Sequence, residues 1–587
     1  MAWKRALYLG LALVLLNAGG ELSAQSDIAV ATRTAKLQAL ADKLRQRTEE
    51  NKRQARHAAD QMGIPLRREL PNGKVLELQR VVPGLGPQFY ITYNVDAADT
   101  VSTDEVWPGG SAGLALEGNG MTMGEWDGGA VEGNHPDLHP RVTQVDNASV
   151  ISDHATHVAG TLVGAGVALL PDARGMAPAA LLHAYDWNFD TAEMADAAAA
   201  GLLVSNHSYG IAAGWVQVGV GEWWWIGGPG SEDPNFGLYD AETQLWDTVA
   251  FEAPDYLIVK AAGNDRWDIG PDPGTFYTVV DQDGNALGTS NENRPADCAP
   301  DGYDCLPTVS VAKNILTVGA VDDVPGGYQA LTGPAAVQMT AFSGWGPTDD
   351  GRIKPDVVGN GWLLMSTYAH DPYYAAAIGT SMASPNVAGS LLLLQEHYQD
   401  VHGAGSKMRG ATLKALAIHT ADETGDANGP DYEFGWGLLN TRTAATVISE
   451  DGAGTHRIVE GTLANGATDT VVIDVNQADA IVTATLVWMD PPGTPPAPSL
   501  DPTDSMLVND LDLRITDGVS TWLPWVLDPA APAAAATTGD NVRDNVEQVE
   551  VYGAGIGAYT VEINHKGTLL DGEPQHYSLI ISISPPP

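Results

Sequence analysis

The sequence predicts an α/β domain with a mostly parallel sheet flanked by helices, followed by a C-terminal antiparallel β-sandwich. Between about residues 110 and 445, short strands that are apolar throughout, such as "YLIVKAAGN" and "ILTVGAV", alternate with helical stretches and glycine-rich turns. Strands of this kind are covered on both faces, and their alternation with helices is typical of parallel sheets with crossover helices. Beyond about residue 451 the helical patterns stop, and strands such as "DTVVIDV" and "AYTVEI" predict a jelly-roll-like sandwich of roughly eight strands.

Residues 1–24 have the pattern of a secretory signal peptide. Lys4 and Arg5 precede an apolar run from Ala6 to Leu16, and small residues follow near Ala24. The apolar run is shorter than the ~20 residues needed to span a bilayer. We therefore expect a secreted protein, extracellular or periplasmic, with no membrane contact once the signal is removed.

Residues 25–95 form a predicted basic segment and a candidate propeptide. Apolar residues recur at helical spacing up to about residue 62, which predicts one long amphipathic helix, and two predicted strands follow in "KVLELQRVV" and "QFYITYNV". Residues 1–80 carry 14 Lys and Arg against 8 Asp and Glu, whereas the rest of the chain carries 16 against 66. Two interpretations stay open: a segment that docks on the acidic body before its removal, and a solvated basic helix.

The net charge of −44 at pH 7 argues against a nucleic-acid partner or an anionic membrane surface, since either would need a basic face. The two cysteines, Cys298 and Cys305, are separated by six residues and favour a disulfide-closed loop in an oxidising compartment. A free buried pair is the alternative. The predicted domains are a catalytic domain over residues 96–450 and the sandwich over residues 451–587.

Three residues of the α/β domain suit nucleophilic catalysis. Ser381 lies in "GTSMASP" at the start of an apolar helix, and a serine hydroxyl becomes reactive only when an imidazole takes its proton and a third group orients that imidazole. His154 opens another apolar helix in "DHATHVAGTLVGAG". Asp127 follows the apolar strand in "MTMGEWDGG", at the carboxyl end where open parallel sheets place their sites.

Four segments in this order resemble the signature sequences of the subtilisin-like serine proteases. They are "HATHVAGT", "AAGND", "FSGWGPTDDGRIKPDV" and "GTSMASPNVAG". The resemblance implies a subtilisin-like fold in which Ser381 is the nucleophile, His154 the general base and Asp127 the orienting carboxylate. It also implies that His157 is a buried, hydrogen-bonded structural histidine.

The same resemblance implies how a substrate binds. Asn264 is similar to the side-chain donor of the family's oxyanion hole, which acts together with the backbone N–H of Ser381. Ser208, Tyr209 and Gly210 resemble the strand edge that pairs with an extended peptide, and backbone pairing of that kind implies broad specificity. The resemblance therefore implies a secreted serine endopeptidase, which we expect to be monomeric and to need no cofactor for its chemistry. The alternative is a binding protein that keeps the fold and has lost the chemistry.

Acidic and amide residues of the C-terminal domain could bind structural calcium. Asp510 and Asp512 lie in "LVNDLDLRI", and Asp544 lies in "GDNVRDNVEQ". Calcium takes 6 to 8 oxygen ligands, so convergence of the two loops would form a site. Solvated turns are the other interpretation.

Overall fold

The fold is described here from a computed structural model. It describes residues 31–57, 59, 66–69, 75–82, 86–92, 98–167, 173–227, 230, 232–280, 286–294, 297–298, 301–330, 333–370, 373–497 and 499–585. The predicted signal peptide, residues 1–24, lies outside these ranges.

A seven-stranded sheet forms the centre of the α/β domain. All its neighbouring strands are parallel, which confirms the expected architecture. In spatial order the strands are Val357–Asn360, Leu316–Val321, Leu257–Ala261, Val204–His207, Thr122–Asp127, Leu181–Asp186 and Val142–Gln144. The strands that follow Thr122–Asp127 in the chain lie on both sides of it, and such a switch in direction leaves a crevice at the carboxyl ends of the strands.

Six helices of the described residues surround this sheet and bury apolar residues against the sheet, against one another or against the C-terminal domain. They are Asp153–Val163, Asp190–Ala199, Ala241–Glu252, Thr380–His402, Gly410–His419 and Thr441–Ser449. The long helix Thr380–His402, here called the serine helix, is buried along most of its length, from Thr380 to His397. A helix that is buried on all sides belongs inside a large domain, so the serine helix runs through the core instead of over the surface.

The N-terminal segment packs against the α/β domain. It consists of a helix over residues 31–57 and an antiparallel sheet of Arg67–Glu69, Val75–Val82 and Gly86–Thr92. Leu37 and Leu44 of the helix are buried in a cluster with Trp187 of the α/β domain.

Ion pairs join the same segment to acidic residues of the body. Arg33 contacts Asp255, Arg45 contacts Asp196, Arg47 contacts Glu242, and Arg80 contacts both Asp240 and Glu242. The contacts that Arg80 makes are buried. The basic segment therefore docks on the acidic body.

An aromatic hairpin extends from the α/β domain. Strands Trp215–Gly219 and Glu222–Trp225 pair with Tyr277–Val280 and Ala286–Ser290 in a separate four-stranded sheet. The rings of Trp215 and Trp225 are buried and meet edge to face at 5.0 Å. Contact between these two buried rings therefore stabilises the hairpin. Cys298 and Cys305, which follow this sheet in the chain, form a disulfide.

The C-terminal domain is a sandwich of two antiparallel four-stranded sheets. One sheet contains His456–Leu463, Gln575–Ser584, Ala480–Val487 and Val546–Ala554, and the other contains Asp469–Val475, Gly557–His565, Leu511–Thr516 and Thr521–Trp522. Apolar side chains that alternate along these strands fill the space between the sheets. The eight strands match the number that the alternating pattern predicts.

A buried lysine joins the two domains. Lys313 of the α/β domain is fully buried and pairs with Asp490, and its ammonium also donates to the carbonyls of Pro491 (2.8 Å) and Met506 (2.6 Å). Because an ammonium has three donors and all three are used, this buried charge is fully satisfied. Among the described helices, none is long and apolar enough to cross a membrane.

Candidate active site

Asp127 and His154 meet at the carboxyl end of the central sheet. Asp127 ends the strand Thr122–Asp127, and His154 is the second residue of the helix Asp153–Val163, whose start is capped by Ser152. The imidazole Nδ1 lies 2.6 Å from Asp127 Oδ1, which also accepts a hydrogen bond from Gly128 N at 2.6 Å. Because the carboxylate accepts at Nδ1, the proton lies on Nδ1 and Nε2 is left as a base.

Ser381 lies at the start of the serine helix and is held by Ser208. Ser381 Oγ donates to the carbonyl of Ser208 at 2.7 Å, and Ser208 Oγ donates to the carbonyl of Ser381 at 2.7 Å. These reciprocal bonds fix the helix start to the strand end next to Ser208. In this arrangement the hydroxyl of Ser381 donates to a carbonyl and not to the imidazole.

The two strand ends that hold His154 and Ser381 are neighbours. Strands Thr122–Asp127 and Val204–His207 pair in parallel with Trp126 beside His207, so the next residues, Asp127 and Ser208, lie at the same level of the sheet. Neighbouring strands lie about 4.8 Å apart. The sheet therefore places Asp127, which contacts His154, beside Ser208, which is bonded to Ser381.

Asn264 is oriented by the residue that precedes Ser381. Its Oδ1 accepts hydrogen bonds from Thr380 N (2.9 Å) and Thr380 Oγ1 (2.8 Å). Since the backbone N–H of Thr380 can only meet the oxygen of the amide, Nδ2 must point the other way. The preceding residue, Gly263, has a φ of +112°, which side chains rarely adopt. A Cβ at this position would also lie only 2.8 Å from Pro307 Cδ.

The edge formed by Tyr209, Gly210 and Ile211 is paired with the chain's own N-terminal segment. Strand Gly86–Thr92 runs antiparallel to it, with Thr92 opposite Tyr209 and Ile91 opposite Gly210. Arg67 of the same segment also donates to the carbonyl of Gly128, next to Asp127, at 2.5 Å. The main-chain groups expected to pair with a peptide thus already pair with an extended strand.

His157 is a structural residue, as the resemblance implies. It is fully buried, and its Nε2 faces the carbonyls of Leu364 (3.2 Å) and Ala375 (3.1 Å). Burial, together with the nearby His154, lowers the pKa of His157 to about 3. The ring is therefore neutral at physiological pH and ties its helix to the strands beneath.

Glu125 is a buried acid next to the site that sequence reasoning did not identify. It lies two residues before Asp127 on the same face of the strand, is fully buried, and neither of its carboxyl oxygens has a hydrogen-bond partner among the described residues. Burial, and then the charge of Asp127, raise the pKa of Glu125 well above its ordinary value. Burial and the neighbouring carboxylate therefore both favour the neutral form of Glu125 over a second negative charge beside Asp127. The signal in the sequence was a lone Glu in an otherwise apolar strand.

The structure does not bring Asp510, Asp512 and Asp544 together. The ammonium of Lys566 lies 3.2 Å from Asp510 Oδ1 and 2.7 Å from Asp512 Oδ1, so a cation of the chain itself occupies the place expected for calcium. Asp544 instead accepts from Ile353 N at 2.8 Å, at the boundary with the α/β domain.

Two other carboxylate groups could hold a metal ion in the described part of the chain. One group consists of Asp265 and Asp268, which closely follow Asn264 in the chain, and Asp297, which accepts a hydrogen bond from Trp215 N of the aromatic hairpin. The other consists of Glu232, Asp304 and Asp501. In each group the carboxylate oxygens lie within 4.8 Å of one another. Neither group was identified from the sequence, because each includes members that are far apart along the chain.

Known proteins resemble parts of this chain. A serine protease/ABC transporter B family protein, tagA, of Dictyostelium discoideum is 24% identical over 421 residues, which are 59% of this chain and 23% of that protein. The C5a peptidase of Streptococcus pyogenes is 41% identical over 88 residues, 15% of this chain and 7% of that protein. The chain thus spans less than a quarter of the length of these curated relatives.

Among solved structures, the patellamide maturation protease PatA aligns with a TM-score of 0.38 and 18% identity, over 57% of this chain and 99% of that one. The profile of the subtilase family matches residues 119–437, which are more than half of the chain and contain Asp127, His154, Asn264 and Ser381. This chain therefore belongs to the subtilase family.

Proposed function

We propose that this chain is a serine endopeptidase that hydrolyses peptide bonds of proteins through an acyl-enzyme intermediate. The observation that supports this most strongly is the 2.6 Å contact between Asp127 and the His154 imidazole, beside a serine at a helix start and within the segment that matches the subtilase family. Asp127, His154 and Ser381 are the proposed catalytic residues. Their order along the chain is the order found in subtilisin.

Acylation begins when the Ser381 hydroxyl turns from the Ser208 carbonyl towards His154 Nε2. The imidazole then takes the proton as Oγ attacks the substrate carbonyl carbon, and Asp127 stabilises the imidazolium through Nδ1. The carbonyl π electrons move onto oxygen to form a tetrahedral oxyanion. When the oxyanion collapses, the C–N bond breaks and His154 gives its proton to the departing amine, leaving an ester on Ser381.

Deacylation repeats these steps with water. Water adds to the ester carbon while His154 takes its proton, and collapse of the second tetrahedral intermediate breaks the bond to Ser381 Oγ. His154 returns the proton to Oγ. The carboxylic acid product leaves, and the enzyme regains its starting protonation state.

Asn264 is the proposed side-chain donor to both oxyanions. Its Oδ1 is held by Thr380, immediately before the backbone N–H of Ser381, and its Nδ2 is directed away from Thr380. Two donors fixed in this way stabilise the charge that develops on the carbonyl oxygen without having to reorganise.

We expect Asn264→Ala to lower kcat by about 10²- to 10³-fold with little change in KM, the size of effect known for the equivalent donor of subtilisin. The physical reason is that the amide acts on the oxyanion more strongly than on the ground-state carbonyl. Steady-state kinetics on a chromogenic peptide measure it. Thr380→Ser, which keeps the hydroxyl that holds Asn264, is the matched control and should retain most activity; equal losses of kcat and substrate affinity in Asn264→Ala would refute the assignment.

An extended substrate is proposed to bind along the Tyr209–Ile211 edge, with Ser208, Tyr209 and Gly210 beside the residue that precedes the scissile bond. Support comes from strand Gly86–Thr92, whose antiparallel pairing with this edge is the geometry that a peptide backbone would adopt. Main-chain pairing makes few demands on side chains, so we propose broad specificity.

The N-terminal segment is proposed to block this edge until it is removed. Its strand pairs with the edge, and its basic helix pairs with acidic residues on the body. A peptide of residues 25–95 added to processed enzyme should inhibit casein cleavage, and inhibition should weaken by about tenfold between about 50 and 500 mM NaCl because exposed ion pairs are screened. The same peptide with Arg33, Arg45 and Arg47 changed to Gln is the control and should show a smaller salt dependence.

N-terminal sequencing of the active secreted protein distinguishes the two roles of the segment. A start beyond Thr92 supports removal. A fully active chain that still begins near residue 25 would show that the segment is an arm that stays.

We also propose that the protein is exported from the cytoplasm. The signal pattern of residues 1–24 and the disulfide between Cys298 and Cys305 both suit an oxidising compartment outside the cytoplasm. Protein or peptide substrates are the proposed partners.

Casein hydrolysis by the purified, processed chain tests the function. We expect new α-amino groups to appear with time and to stop appearing after treatment with a serine-directed fluorophosphonate. A folded, processed preparation that binds casein without releasing peptides would favour the alternative, a binding protein with the subtilase fold.

A further inference from the structure

Four carboxylates converge where the α/β domain meets the C-terminal sandwich. Glu232 comes from the loop after the aromatic hairpin, Asp304 precedes the disulfide cysteine Cys305, and Asp501 comes from a loop of the sandwich domain. One carboxylate oxygen from each of these three acids lies within 4.8 Å of those of the others. Oxygens with this spacing fit around a single ion, since calcium binds oxygen at about 2.3–2.6 Å.

A fourth carboxylate, Asp349, lies beside Asp304. A Cβ placed on Gly237 would lie 2.0 Å from Asp349 Oδ1 and 2.7 Å from Asp304 Oδ1, so both carboxylates converge on the Cα of this glycine. Gly237 also has φ +68°, a conformation that side chains rarely adopt. Its backbone is hydrogen-bonded to the same two segments, with Gly237 N donating to Leu306 O (2.8 Å) and Asp349 N to Gly237 O (3.1 Å).

Three carboxylate oxygens of Asp304 and Asp349 lack hydrogen-bond donors among the described residues. Asp304 Oδ1 and both carboxylate oxygens of Asp349 are shielded from solvent and have no hydrogen-bond partner among the described residues. The neighbouring Asp350 is different, because it accepts from Arg352 Nε at 2.8 and 3.0 Å. Buried carboxylates without donors are costly when charged, so a bound cation would stabilise this arrangement.

We propose that Glu232, Asp304, Asp349 and Asp501 bind one calcium ion that connects the α/β domain to the C-terminal sandwich. The donor set is oxygen only, which disfavours zinc, since zinc sites in proteins are built mainly from Cys and His. The ligands come from four separate loops in an irregular arrangement. Calcium tolerates such geometry and 6 to 8 ligands, whereas magnesium demands a near-octahedral set.

The position of the site indicates that the ion would connect the two domains. Three ligands belong to loops of the α/β domain, one of them next to the disulfide, and the exposed Asp501 belongs to the other domain and leaves the ion reachable from solvent. The buried Lys313–Asp490 pair already joins the domains elsewhere. The ion is a second connection, so its removal loosens the domain junction without touching the proposed catalytic residues.

The test uses the full chain with Ser381→Ala as the parent, so that self-cleavage does not interfere. Asp304→Asn/Asp349→Asn removes two charges with almost no change in shape. After treatment with EGTA and desalting, calcium alone is titrated in by calorimetry, and melting is followed with and without calcium. Asp510→Asn is the matched control, because Asp510 is paired with Lys566 and is not a ligand.

The parent should bind one more calcium ion per chain than the double variant, and calcium should raise the parent's Tm by a few degrees more than that of the variant. Without calcium, the variant should melt at or above the parent, because the repulsion between the carboxylates is gone. This reversal separates loss of a ligand from a general folding defect. Both proteins retain Asp265, Asp268 and Asp297, so calcium bound by that group does not contribute to the difference between them. Equal calcium stoichiometry and equal calcium-induced shifts in the parent and the double variant would overturn the proposal.

Discussion

Ser381→Ala is expected to lower kcat for peptide hydrolysis by about 10⁶-fold, the size of effect that loss of the nucleophile has in subtilisin. Without Oγ no acyl-enzyme can form, and only binding and the oxyanion donors remain to assist attack by water. Affinity for an extended peptide should stay within a few-fold, because the edge at Tyr209–Ile211 is unchanged. Single-turnover cleavage and peptide binding by fluorescence anisotropy measure the two quantities separately.

Ser384→Ala is the control for this variant. Ser384 is buried on the same helix, three residues further on, and its Oγ donates to Asn206 Oδ1 at 2.7 Å. It should keep kcat within about tenfold, with the loss coming from the unsatisfied amide. Comparable activity of the wild type and Ser381→Ala would mean that another group performs the chemistry.

Asp127→Asn is expected to lower kcat by about 10⁴-fold, the magnitude known for the same change in another serine protease. Asp127 Oδ1 accepts from both His154 Nδ1 and Gly128 N. An amide oxygen can accept both bonds, so the imidazole keeps its place. What is lost is the negative charge that stabilises the imidazolium formed when His154 takes the serine proton.

Asp153→Asn is the control for Asp127→Asn, and the kcat of each variant is measured across the pH range. Asp153 precedes His154 in the chain, but its carboxylate binds the exposed His370 at 2.7 Å. Asp153→Asn should therefore remain close to wild type in kcat at every pH. If both variants lost activity equally, the effect would come from the helix start and not from the contact with Nδ1.

The fold and most of the candidate site follow from local sequence patterns. Strands that are apolar throughout, between helical stretches, predicted the parallel sheet, because each strand is covered on both faces. Asp127 ends a short apolar strand, whereas His154 and Ser381 open buried helices. Parallel strands end together at one edge of a sheet, and this rule alone predicts that the three residues lie at that edge.

The features that sequence patterns did not predict depend on distant contacts. Asp510 and Asp512 have the spacing of calcium ligands, but Lys566, more than fifty residues further on, lies between them. Glu232, Asp304, Asp349 and Asp501 share no local spacing, and only the folded chain brings them together. The docking of the basic segment was open for the same reason, since its acidic partners, such as Glu242, lie far along the chain.

Glu125, whose pKa is raised, shows a different limit of prediction from sequence. Its position in an apolar strand was visible in the sequence, but its protonation depends on complete burial and on the charge of Asp127 two residues away. Neither quantity can be read from residue order, because both depend on which elements cover that strand.

Labelling with a fluorophosphonate, followed by mapping of the modified peptide, shows whether Ser381 is an activated nucleophile. The reagent forms a covalent bond only with a serine whose hydroxyl is activated by a neighbouring base. We expect stoichiometric modification of Ser381 in the processed protein and almost none in His154→Ala. Folded, processed protein that stays unlabelled, or that is labelled at another residue, would contradict this expectation.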